Sequence, residues 1–155
     1  MNKKILILLL ILILFGIFFI SNDVIANNEI SQDNIKKIEE EAQICLDKGI
    51  AMHNCNYEAI NKYQIEIEKI LKKFKNKLTQ SQYEKLTISQ KKWEDFAKAN
   101  NDLYNEIYDI IPATIVYLFG SQQKKQIYEN RLKELAELYR EYNMLLKDYD
   151  ARKYY

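Results

Sequence analysis

Cys45, Cys55 and the single histidine, His53, are the side chains of this 155-residue sequence whose types most readily do chemistry. Nucleophilic catalysis by a cysteine needs a thiolate beside its base. His53 adjoins Asn54 and Cys55, but the only two cysteines of a chain that begins like an export signal are expected to be oxidised to each other. A redox-active pair is the other reading, and it ordinarily takes CxxC spacing. One His and two Cys fall short of the usual His/Cys zinc site, and His53 stands in no HExxH or ExxH, so no metal is expected. Three glycines leave no GxxxxGK[ST] or GxGxxG anywhere, which argues against a nucleotide cofactor. Carboxylates at Glu39 to Glu41, Glu94-Asp95 and Glu106 with Asp109 are available for glycoside hydrolysis. They fall on what read as solvated helix faces, where neither a raised pKa nor a concave site is expected. The expectation is a protein without catalytic residues or cofactors, and not an enzyme.

The elements that position these residues follow from the hydrophobic pattern. No run shows sustained period-two alternation, and nearly every stretch after residue 32 carries apolar residues at helical spacing. The first helix spans about Asp33 to Lys48, with Ile35, Ile38, Ala42, Cys45 and Leu46 on one stripe. In one continuous helix two cysteines ten positions apart would lie about 15 Å apart along the axis, beyond the roughly 7 Å limit of a bridge, so the chain must turn between them. Gly49 is the natural corner. The second helix, about Ala51 to Leu78, shows Ile60, Tyr63, Ile67, Ile70, Phe74 and Leu78 at steps of three and four. Its run Lys72, Lys73, Lys75 and Lys77 suits a helix C-terminus better than a nucleic-acid patch.

Thr79 to Gln82 has the T-x-x-Q form of a capping box, so a third helix starts there and runs antiparallel to the second. It continues through Leu86, Gln90, Trp93, Phe96, Ala97, Asn100, Leu103 and Ile107 until Pro112 ends or kinks it. The apolar stretch Ile110 to Phe119 reads equally as helix or extended segment. The last helix is expected to begin near Ser121, with Tyr128, Leu132, Leu135, Tyr139, Tyr142, Leu146 and Tyr149 in a seven-residue rhythm. The fold class is therefore all-α: a small antiparallel bundle of three to four helices stapled by one disulfide, spanning residues 33–150, with residues 151–155 frayed.

Residues 1–26 read as a signal peptide: Lys3-Lys4, an apolar core over 5–20, then Val24-Ile25-Ala26 as a cleavage site. The core would span roughly 24 Å as a helix, short of a bilayer's roughly 30 Å, so cleavage before Asn27 is favoured over an anchor at residues 5–20. Residues 27–32 form a polar leader. Cleavage would remove two lysines and one aspartate from 23 basic and 22 acidic residues, leaving 21 of each. A neutral domain has no global field to attract nucleic acid, and contact with a membrane is expected only through an uncleaved signal.

Cys45-x9-Cys55 with Met52 three residues before the second cysteine, Leu86-x3-Gln90-x2-Trp93-x2-Phe96, and Tyr128-x2-Arg131-x3-Leu135 together resemble the lysozyme inhibitor LprI-like N-terminal domain family. The resemblance spans about Cys45 to Leu135. Departures are Asn101 where a third cysteine is common, no cysteine before Tyr128, and Gln64 and Glu68 in place of the Asp and Asn of the family's D-x2-LN segment. The second family disulfide is thus missing. The resemblance implies a small exported helical protein of a bacterial envelope, periplasmic or secreted, and a protein partner, with a lysozyme-type muramidase as the target. By themselves Gln90, Trp93 and Arg131 read as packing residues, with Arg131 able to pair a carboxylate between helices.

Two functional readings follow. In the first, the protein occludes a partner enzyme through a tyrosine-rich patch of Tyr104, Tyr108, Pro112, Tyr117 and Phe119, residues that could instead plug one end of the bundle. In the second, it is an envelope assembly module whose last helix docks a partner helix or a second copy through Tyr128, Tyr139, Tyr142 and Tyr149.

Overall fold

The computed structural model describes residues 32–108, 110 and 114–152. The signal segment, the leader before residue 32, Asp109, Pro112 and residues 153–155 lie outside the described residues. The protein is a small all-α bundle of four helices, with no strand among the described residues. These are α1 (32–46), α2 (Met52–Lys75), α3 (Gln80–Tyr108) and α4 (Thr114–Arg152). Gln32, assigned above to the leader, is already helical.

Four polar ties give the directions. Asn34 on α1 donates to Glu66 on α2 (2.9 Å) and Lys62 to Glu41 (2.7 Å), so α1 and α2 are antiparallel. Asn56 reaches Ser121, and Lys77, just past the end of α2, reaches Asn143, so α4 runs parallel to α2. α3 doubles back between them in sequence. α4 packs along α2 and less extensively along α3, while α2 and α3 make almost no helix-to-helix contact. A hairpin whose arms diverge leaves a groove, and α4 closes its floor.

The core is one cluster: Ile35, Ile38 and Ala42 from α1, Ala59, Tyr63, Ile67, Ile70 and Phe74 from α2, Leu86 from α3, and Leu132, Leu135 and Tyr139 from α4. Steps of three and four put each set on one helical face. Phe74 and Tyr139 meet edge to face at 5.1 Å, a favoured aromatic geometry. Lys73 and Lys77 lie over the Tyr139 ring, so part of the basic run caps an aromatic contact.

The corner after α1 turns at Gly49, whose φ of +69° is open to glycine without strain. Ala51 is also left-handed, at φ +49°, a cost the sequence does not announce. This double turn brings the Cα atoms of Cys45 and Cys55 to 5.7 Å, and the disulfide closes. It fits an oxidising, extracytoplasmic compartment. No helix among the described residues is long and apolar enough to cross a membrane.

Thr79 and Gln82 form the capping box reciprocally: the Thr79 amide donates to Gln82 Oε1 (2.9 Å) and the Gln82 amide to Thr79 Oγ1 (3.4 Å). Two expectations are corrected. α4 starts at Thr114, not near Ser121, and passes through Gly120 without interruption. The reason is packing: a Cβ on Gly120 would stand 3.0 Å from Tyr108 Cδ2, so glycine here admits the Tyr108 ring rather than ending a helix. Phe96, placed above on the third helix's apolar stripe with Leu103 and Ile107, is 55% exposed, and both of those are about half exposed, because the face α3 turns to its cover runs through Trp93, Ala97, Tyr104 and Tyr108, one position round the helix.

Candidate functional site

The residues that carry the sequence motif meet where α3 crosses α4. Arg131, 4% exposed, donates from Nε to Gln90 Oε1 (3.1 Å), and Gln90 in turn donates from Nε2 to Glu94 (3.1 Å). Between helices Arg131 therefore meets an amide and not a carboxylate. Its carboxylate partner, Glu134 at 2.8 Å, lies one turn along the same helix. The guanidinium stacks 5.7 Å from the Trp93 ring, and Trp93 meets Tyr128 edge to face at 5.3 Å. Arg131 Nη2 is buried with no hydrogen-bond partner among the described residues. Leu86 and Leu135 are core residues, and Met52 is half-buried in the first turn of α2.

Trp93 and Tyr128 also line the groove between α2 and α3, which encloses about 680 Å³. Its walls are mixed: Ile65, Ile67, Leu71 and Ala97 are interleaved with Asn61, Gln64 and Glu68 of α2 and with Glu94, Lys98, Asn101 and Asp102 of α3. Three carboxylates face one lysine. Asn101 Oδ1 has no partner among the described residues. No reading of the motif alone could find this groove, because it exists only through the divergence of α2 from α3.

Of the tyrosine-rich patch, Tyr104 and Tyr108 are half-buried with ring centroids 6.3 Å apart. Tyr117 (48%) and Phe119 (54%) are exposed, as are the neighbouring Leu103, Ile107, Ile110 and Ile115. On α4, Tyr139 is buried and Tyr128 and Tyr142 pack against the core, so that seam is used within the chain as far as Tyr142. Met144, Leu145 and Tyr149 beyond it are exposed.

The candidate acid–base carboxylates are tied up or solvated. Glu39 takes Lys133 (3.0 Å), and Lys62 beside Glu41, by hydrogen bond and charge, holds that carboxyl below the usual carboxylate range. Glu94, Asp95 and Glu106 are exposed. Among the described residues no group of three His, Cys, Asp or Glu side chains could hold a metal ion. Lys124 and Lys125 are an unforeseen feature, both buried, with Lys124 donating to Asn105 (2.6 Å) and lying over Tyr57. The chain matches no family profile, no curated protein and no solved structure.

Proposed function

We propose that this chain is a non-catalytic binding protein of the bacterial envelope that engages a protein partner through the corner between α3 and α4. The observation that carries the reading is the apolar surface there: Leu103, Ile107, Tyr117 and Phe119 stand about half exposed at one end of the bundle. Large apolar side chains left exposed at one end of a fold mark interaction sites, and aromatic anchors supply much of their binding energy. The resemblance of the cysteine, Gln90/Trp93 and Arg131 motifs to LprI-like domains points to a lysozyme-type muramidase as the partner and occlusion as the mode. The disulfide and the signal-like leader support export.

The test is hydrolysis of peptidoglycan by a panel of lysozymes with the oxidised chain from Asn27 added stoichiometrically, at two salt concentrations. Inhibition is expected, and the double substitution Tyr117→Ala with Phe119→Ala should abolish it while leaving the helical signal intact. Undiminished hydrolysis by every enzyme rejects the muramidase. One further observation favours an assembly module: Met144, Leu145 and Tyr149 extend an apolar edge past the bundle. Sedimentation of the same sample separates the two, since this version requires a dimer that Leu145→Glu dissociates.

A further inference from the structure

The groove between α2 and α3 has a chemistry of its own, independent of the corner surface. Its floor is aromatic, with Trp93 and Tyr128 held edge to face. Its walls carry planar polar groups, the carboxamides of Asn61, Gln64 and Asn101 and the carboxylates of Glu68, Glu94 and Asp102, against the single cation Lys98. From Asn61 to Leu71 the α2 wall rises roughly 15 Å, which suits a short chain of rings rather than one small molecule.

We propose that this groove binds an oligosaccharide containing amino sugars with free amines. The C–H face of a pyranose ring is apolar and packs on an aromatic floor, as ligand pockets combine an apolar base with a few fixed polar groups. Its hydroxyls each donate and accept, which matches walls of amides and carboxylates. The excess of carboxylate over lysine selects an ammonium and repels anions. Other occupants fit less well. Phosphate backbones meet a negative wall. A peptide strand needs an open sheet edge, and the walls here are helices whose backbones are already bonded; an amphipathic helix needs a continuous apolar stripe, and here Ile65, Ile67, Leu71 and Ala97 are interleaved with carboxamides and carboxylates.

Trp93 is the only tryptophan of the chain, so its emission reports on the groove directly. The oxidised protein is titrated with a glucosamine tetramer, an N-acetylglucosamine tetramer, a galacturonate tetramer and octalysine. The glucosamine tetramer should change Trp93 emission saturably. The acetylated tetramer should bind several-fold more weakly, and galacturonate not at all. Glu68 and Asp102 are exposed, so Glu68→Gln with Asp102→Asn should preserve the fold, verified by circular dichroism, and weaken glucosamine binding at least tenfold. Glu84→Gln, on an exposed position outside the groove, should leave it unchanged. The proposal is overturned by no saturable response to the glucosamine tetramer, by acetylated or galacturonate tetramers binding as tightly, by binding indifferent to the double substitution, or by octalysine binding more tightly with the same dependence on Glu68 and Asp102.

Discussion

Tyr63 is the most completely buried large side chain of the core, and its hydroxyl has no hydrogen-bond partner among the described residues. Burial, with Glu129 and Glu39 nearby, holds its proton on well above the ordinary tyrosine range. Two consequences follow for Tyr63→Phe. An unsatisfied buried hydroxyl is costly, so its removal should raise unfolding stability by about 1 kcal/mol in denaturant titration. The unfolded chain gives up this proton from about pH 10 while the folded chain retains it, so the contribution is intact below pH 10 and declines above it. The stability of the variant should therefore fall less steeply above pH 10. A destabilised variant would mean that the hydroxyl is satisfied after all, and an equally steep one that burial does not hold its proton on.

Gly120 shows how one residue sets the meeting of two helices. In an exposed helix interior, Gly→Ala stabilises by about 1 kcal/mol. Here the added Cβ would meet the Tyr108 ring. Gly120→Ala should thus gain about 1 kcal/mol when Tyr108 is already alanine, and at least about 0.5 kcal/mol less in the native chain. Additive effects in that double-mutant cycle would refute the close approach. The same position shows why α4 was only partly readable. Ser121, Lys124, Tyr128 and Arg131 continue the three-and-four stripe of Leu135 upstream, yet three of them are polar, and a search for apolar residues stops short of them. Their burial depends on partners from distant elements: Asn56 for Ser121 (2.8 Å), Asn105 for Lys124, Gln90 for Arg131. α2 was readable almost throughout because its face is apolar, and the capping box because both partners lie within one turn. The divergence of α2 from α3, and the groove with it, is tertiary and has no local signature.

At the scale of the molecule, α1 is held by the disulfide, by ties from Asn34, Glu39 and Glu41, and by Ile35, Ile38 and Ala42 in the core. α4 packs on α2 and on α3 through Leu132, Leu135, Tyr139 and Arg131, contacts in which the disulfide has no part. Reduction should cost on the order of 2 to 3 kcal/mol and act unevenly. Amide exchange in α1 should accelerate while that of α2 and α4 stays protected below the global limit. Uniform acceleration throughout would show that the four helices unfold only as one unit. The order of these contacts along the chain has a further consequence. α1 and α2 are complete by Lys75, within the first half of the chain, but the face they jointly present is covered by Leu86 and, for the rest, by residues from Leu132 onward. A ribosome delivers that cover last, so a newly made chain carries a bare apolar hairpin while the residues between Lys75 and Leu132 are added, a species that calls for a holding chaperone until the final helix emerges.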